Sequence, residues 1–148
     1  MGAIEDVLLT PLRVIKGESG DVMHALKQQE ESFQGFGEAY FSTIHPRAVK
    51  GWKKHRKMVL NLIVPVGTIK FVLYDARLSS KTYQAIQEII LSPKNYQRLT
   101  VPPGVWMAFQ GMGESANILL NIASIQHDPL EADNLPVQND SIPYLGFL

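Results

Sequence analysis

Met58-Val59-Leu60-Asn61-Leu62-Ile63-Val64-Pro65-Val66-Gly67-Thr68-Ile69-Lys70-Phe71-Val72-Leu73-Tyr74 is the stretch on which the fold turns. Through Val64 it is apolar except for Asn61, as suits a strand buried on both faces. Pro65-Val66-Gly67 reads as a turn. From Thr68 onward, Ile69, Phe71 and Leu73 fall on one face and Lys70, Val72 and Tyr74 on the other. Further short apolar runs, separated by Gly, Pro, Asn and Asp, continue the pattern in both directions. They are Val7–Val14 (interrupted by Pro11), Glu38–Ser42 after Gly35 and Gly37, Val49–Trp52, Arg98–Val101 and Ala116–Ala123. Many short strands with frequent turn residues imply an all-β sandwich or barrel. Lys81–Leu91 stays open: Ala85, Ile89 and Ile90 fit a helical stripe, and the same residues fit an extended strand.

The 148 residues suffice for one domain with a sizeable core, and 45% hydrophobic with 19% charged residues is an ordinary globular balance. We expect a single domain over residues 1–148, with residues 128–148 as a surface-wrapping tail punctuated by Pro129, Pro136 and Pro143. Lys plus Arg equals Asp plus Glu at 14 each, which argues against a dedicated nucleic-acid binder. The chain has no cysteine, so it offers no disulfide, thiolate metal site or Cys nucleophile. Met1–Thr10 carries Glu5 and Asp6 and does not resemble a signal peptide. No window reaches the roughly 18 apolar residues of a membrane span. The expectation is a soluble, cytoplasmic protein.

Arg47, Lys50, Lys53, Lys54, Arg56 and Lys57 crowd into residues 47–57, with Trp52 and His55 among them. In a regular strand Arg47, Lys53, His55 and Lys57 share one face, and Lys50, Lys54 and Arg56 the other. Two uses fit this run. Cations converging on a barrel mouth would bind a diphosphate by charge-assisted hydrogen bonds. They would also lower the proton affinity of a nearby imidazole, leaving it a base near neutral pH. An edge strand kept from aggregating by its lysines would look the same. Farther on, Val101-Pro102-Pro103-Gly104 makes a rigid turn before Val105-Trp106-Met107-Ala108-Phe109. Trp106 would either lie against a sugar or base ring or serve as packing, and Trp52 alone suits core or interface as well as a ligand platform.

Taken together, these segments resemble the dTDP-4-dehydrorhamnose 3,5-epimerases over residues 7–130. Phe36-Gly37-Glu38-Ala39-Tyr40 is similar to the family's Phe-x-Glu-x-aromatic strand, and Lys50-Gly51-Trp52-Lys53 stands where the family has Arg-Gly-Leu-His. Gly67 through Asp75-Ala76-Arg77 is similar to its Gly turn, strand and Asp-x-Arg. Leu91-Ser92 with Asn95, Val101-Pro102-Pro103-Gly104 and His127-Asp128-Pro129 follow its Leu-Ser-x-x-Asn, Ile-Pro-x-Gly and Tyr-x-Pro. The resemblance implies a double-stranded β-helix, the cupin jelly roll, in which 81–91 is a strand. It also implies a homodimer with exchanged N-terminal strands and a nucleotide-diphosphate sugar as ligand. Glu38 would contact the nucleotide, and Lys50 would replace the family's phosphate-binding Arg.

The family's catalytic groups do not carry over. Its basic His is Lys53 here, and its acidic Tyr falls on Leu120 or Asn121. Epimerisation beside a ketone needs a base for the α-proton and a cation or donor for the enolate. His55 is our candidate base, with Lys53 or Lys50 holding the enolate. Arg47, Asp75, Trp106 and Asn121 join Glu38 and Lys50 as candidate binding residues. No cofactor is expected. The positions a metal cupin fills with His, His, Glu and His hold Lys53, His55, Leu60 or Asn61, and Met107, so only one such ligand remains. The function expected is an isomerase or epimerase of a dTDP- or UDP-linked 4-keto-6-deoxyhexose in surface-polysaccharide sugar biosynthesis. The alternatives are a catalytically idle cupin that binds a nucleotide sugar or carbohydrate, and a scaffold whose barrel is filled by side chains.

Overall fold

The computed structural model describes residues 2–147, and among them there is no α-helix. The strands are Leu8–Pro11 (β1), Val14–Ile15 (β2), Val22–Met23 (β3), Glu38–Thr43 (β4), Val49–His55 (β5) and Leu60–Val66 (β6). Ile69–Asp75 (β7), Ile86–Leu91 (β8), Gln97–Val101 (β9), Val105–Gly111 (β10), Ile118–Ala123 (β11) and Ala132–Leu135 (β12) complete the set, with one 3-10 turn at Pro129–Glu131. Two antiparallel five-stranded sheets face each other, ordered β1-β9-β6-β11-β4 and β12-β5-β10-β7-β8. This is the jelly roll that the strand pattern and the resemblance imply.

Alternation along β7 explains how the layers join. Ile69, Phe71 and Leu73 point into the core between the sheets, where they meet Leu60, Leu62 and Val64 of β6 and Leu99 and Val101 of β9. Val72 and Tyr74 point the other way, into a second cluster with Trp52, Trp106, Ala108 and Ile142. The C-terminal segment covers that outer face. Trp52 Nε1 donates to the Val137 carbonyl at 3.2 Å, and the rings of Tyr144 and Phe147 lie edge-on to Trp52 at 6.3 and 6.0 Å. The second sheet is therefore buried on both sides, which accounts for the burial of every residue of β7 except the partly exposed Lys70.

Several local expectations change. Pro65 and Val66 belong to the end of β6, and the turn itself falls at Gly67, whose φ of 80° is left-handed. The third strand extends past Trp52 to His55. Lys81–Leu91 contains a strand: β8 pairs with β7 from Ile86↔Tyr74 to Leu91↔Ile69. Ile89 and Leu91 enter the core and Ile90 faces solvent, a period of two in which the apolar end of the segment outweighs the helical spacing of Ala85 and Ile89. The N-terminal strand pairs with β9, from Leu8↔Thr100 to Pro11↔Gln97. The tail is more than a wrapping, because β12 joins the second sheet beside β5.

Candidate functional site

A cavity of about 230 Å³ opens between the two sheets. One wall comes from β5 and β10 of the second sheet, with Lys50, Lys53, His55, Met107 and Phe109. The opposite wall comes from β4 and β11 of the first, with Glu38, Tyr40, Ser42, Leu119 and Asn121; Met58, Leu60 and His127 also contribute. The greasy floor and polar upper walls suit a ligand with one apolar face and charged substituents.

A bulge explains how Lys50 reaches this cavity. In a regular strand Lys50 and Lys53 would lie on opposite faces. The pairing of β5 with β10 shifts register instead, with Met107 opposite Lys53 and Phe109 opposite Lys50, so that two residues of β5 face the single Ala108. The extra residue turns Lys50 inward while Lys53 and His55 keep their alternation. Trp52 is sent outward, into the cluster beneath the C-terminal segment. Lys50 Nζ lies 5.9 Å from the Phe109 ring centroid, and among the described residues neither Lys50 nor Lys53 has a carboxylate ion-pair partner.

The other cations of the run are engaged elsewhere. Lys54 lies 3.7 Å from Asp133 and 5.1 Å from the Trp106 ring centroid, on the outer face. Arg56 contacts Asp133 and the Leu130 carbonyl. The expected binding role of Arg47 fails on position: it sits in the β4–β5 turn with φ 66°, exposed, 3.4 Å from the equally exposed Glu114. The sequence run thus divides into two lysines facing the cavity and several tied to surface acids.

Trp106 and Asp75 also lie away from the cavity. Trp106 pairs across to Tyr74 and points outward, and its neighbour Met107 takes the inward place. Asp75 is fully buried at the end of β7, where it accepts from Arg77 Nε at 2.9 Å, Ser80 Oγ at 2.6 Å and Thr82 Oγ1 at 2.7 Å. Burial alone would raise its pKa, but these donors outweigh burial and hold it far below the usual carboxylate range. Arg77 also donates to the Glu5 carbonyl and Asp6, so this cluster ties the N-terminal segment to the loop after β7.

His55 is nearly buried, with Nδ1 3.5 Å from Glu131 Oε1 and no closer partner among the described residues. With Nδ1 turned toward that carboxylate, Nε2 is the nitrogen left for the cavity. Burial lowers the imidazole's pKa and Lys53 lowers it further, against the opposing pull of Glu131, so the ring is neutral at neutral pH. Glu131 itself accepts the backbone N–H groups of Arg56 (3.1 Å), Lys57 (3.0 Å) and Met58 (2.9 Å). Burial would raise its pKa, but the N–H groups of Lys57 and Met58, with His55 and the Arg56 N–H, bring the net shift down. A charged carboxylate is therefore held behind the imidazole by the chain turn that follows it.

The residues that the sequence did not single out are Tyr40, His127 and Glu131. The first could have been found: placing Glu38 inward on an extended strand places Tyr40 and Ser42 inward with it. Glu38 Oε1 accepts the His127 backbone N–H at 3.0 Å, which closes residue 127 over the mouth. Asn121, a candidate from the outset, donates from Nδ2 to the Tyr40 hydroxyl at 3.1 Å. Among the described residues no group of three or more His, Asp or Glu side chains gathers as a metal site.

Comparison with known proteins follows this geometry. The family model for dTDP-4-dehydrorhamnose 3,5-epimerase matches residues 2–142. The chain is 24% identical, over 95% of both chains, to the spore coat polysaccharide biosynthesis protein SpsL of Bacillus subtilis. It is 38% identical to a dTDP sugar isomerase of Desulfovibrio desulfuricans, with a TM-score of 0.93 over 96% of this chain and 91% of that one. A dTDP-4-dehydrorhamnose 3,5-epimerase of Bacillus anthracis, solved with TDP and pyrophosphate bound, shares the fold at 17% identity, with a TM-score of 0.82 over 94% of this chain and 83% of that one.

Proposed function

The chain belongs to the dTDP-4-dehydrorhamnose 3,5-epimerase family, and from that membership we propose that it epimerises a dTDP- or UDP-linked 4-keto-6-deoxyhexose. The observation that carries the reading is a neutral, nearly buried imidazole beside two lysines without carboxylate partners in one cavity. His55 takes the proton from the carbon next to the ketone, and the electron pair moves onto the carbonyl oxygen. Lys53 holds that oxyanion, its fixed positive charge placed where negative charge develops on the carbonyl oxygen. Lys50, nearer the mouth, meets the diphosphate. Glu38 and Asn121 orient the nucleotide and sugar from the facing wall. No metal is required, since Lys53 supplies the positive charge. The likeness to SpsL supports a place in surface-polysaccharide sugar biosynthesis. The working unit is a homodimer.

The test is solvent deuterium uptake into a dTDP-linked 4-keto-6-deoxyhexose. Wild type incorporates deuterium beside the ketone, and His55→Asn lowers the rate by about 100-fold or more, the usual scale for a lost general base. Undiminished exchange in that variant removes His55 from the role. A second reading is a binder without turnover; Lys53, standing where the family has His, and Leu120 or Asn121, standing where it has Tyr, favour it. Deuterium exchange separates the two: dTDP or UDP raises the melting temperature under both readings, and only the enzyme exchanges deuterium.

A further inference from the structure

Epimerisation needs two proton-transfer groups on opposite sides of a planar enolate, and His55 supplies only one. We propose that Tyr40 is the acid that returns a proton to the opposite face, a residue role that rests on the epimerase reading above. His55 is on β5, in the second sheet, and Tyr40 is on β4, in the first. The cavity lies between those sheets and is lined by both residues, so a flat sugar enolate within it presents one face to the imidazole and the other to the phenol.

The setting of the hydroxyl fits donation. Asn121 lies directly across from Tyr40 in the β11–β4 pairing, and its Nδ2 donates to the phenol oxygen at 3.1 Å. With the oxygen accepting from the amide, the phenol's own hydrogen is free to point into the cavity. The same N–H stabilises the tyrosinate that donation leaves behind. Asn121 Oδ1 is buried and has no partner among the described residues, so it is available to a sugar hydroxyl beside the reacting carbon. Partial burial raises the phenol's pKa and the charge of Glu38 adds to this, which keeps the ring protonated until it is needed.

The other groups on that wall serve less well. Ser42 is a far weaker acid than a phenol, whose ordinary pKa is about 10. Glu38 is already engaged, accepting the His127 backbone N–H at 3.0 Å. Lys50 and Lys53 sit on the His55 side. The sequence places Leu120 or Asn121 where the family's acidic Tyr stands; here the phenol reaches the cavity from the neighbouring strand, with Asn121 supporting it. The proton balance closes. His55 breaks the C–H bond and becomes imidazolium, while the electron pair forms the enolate. The Tyr40 O–H then forms the new C–H bond as the ketone re-forms. Imidazolium and tyrosinate return to their resting states through water, with no oxidant or reductant.

The experiment separates the two half-reactions in Tyr40→Phe, in D₂O, on a dTDP-linked 4-keto-6-deoxyhexose. The expected result is that deuterium uptake persists at the carbon beside the ketone while formation of the inverted epimer falls about 100-fold or more. Thermal shift by dTDP stays at the wild-type value. Wild-type inversion by Tyr40→Phe overturns the assignment and leaves the epimerase reading standing. Equal loss of exchange and inversion also overturns it, because the phenol would then be needed for deprotonation. Loss of the dTDP shift makes Tyr40 a binding group and overturns its assignment as the acid. No exchange by wild type on either dTDP- or UDP-linked substrate overturns both readings together.

Discussion

The imidazole of His55 is governed by burial and by three neighbours whose effects have opposite signs. Burial, the Lys53 cation and His127 disfavour the imidazolium, and Glu131 favours it. Burial leads and the net shift is down, so the acid limb of kcat/KM lies below the ordinary imidazole value of about 6.5. Glu131→Gln removes the one group that raises this pKa and keeps an oxygen for the N–H groups of residues 56–58. The expected outcome is an acid limb displaced to still lower pH, together with a plateau reduced by up to about 100-fold as the ring loses its orienting charge. A pH–rate profile of the variant measures both. A limb that stays in place or moves upward would show that the carboxylate does not act on His55. The candidate base was legible in the sequence, because an imidazole among lysines on an inward face is a recognisable combination. Its carboxylate was not. Glu131 lies 76 positions away in a Pro-interrupted segment, and only the docking of that segment on β5 brings the two side chains together.

At the scale of elements, alternation and turn chemistry predict this molecule well, and they fail where a strand departs from regularity. The faces of β7 follow from its residues alone. The bulge in β5 leaves no mark in a single sequence, which is why alternation alone puts Lys50 on the face opposite Lys53. Arg47 and Asp75 show another limit: a charged residue next to a strand end is as useful to a turn as to a ligand. The turn between β6 and β7 is the converse case, since Gly67 was identified from its neighbours. Its φ is 80°, and an added Cβ would run into the Ala116 carbonyl and the Asn117 side chain. Asn117 is buried there and links three segments, with Oδ1 accepting from the Thr68 and Gly113 backbones at 2.9 and 3.0 Å and Nδ2 donating to the Ile44 carbonyl at 3.1 Å. Gly67→Ala is expected to cost roughly 1–3 kcal/mol from backbone strain, and more if the Asn117 knot is displaced. Urea unfolding measures the loss, and a variant as stable as wild type would mean that the turn relaxes freely.

For the whole molecule, the two outer faces are treated differently. The second sheet is covered by its own C-terminal segment, which puts Tyr144 and Phe147 against Trp52 and leaves Trp106 buried. The first sheet is covered in part by residues 24–33, held by Arg98, which donates to the Ala25 carbonyl and Glu30, and by Asn61, which donates to the Ser32 carbonyl. Beyond that loop, Phe36 and Phe41 remain 66% and 69% exposed, beside a shallow groove lined by Leu26, Phe33, Ala39 and Ile122. β4 is also an edge, paired only with β11. An apolar face next to an open strand edge invites association, and a second copy of this chain would cover both. Because β4 alternates, the residues such a partner would cover, Ala39 and Phe41, lie back to back with Glu38, Tyr40 and Ser42 in the cavity wall. Dimerisation through this face would therefore stiffen the strand that carries half of the site. Phe41→Asp puts a charge at the centre of the face, where an unpaired carboxylate cannot be buried cheaply. Sedimentation equilibrium should show a dimer for wild type and a monomer for the variant. A wild type that sediments as a monomer, or a variant that stays dimeric, would move the subunit contact elsewhere or remove it.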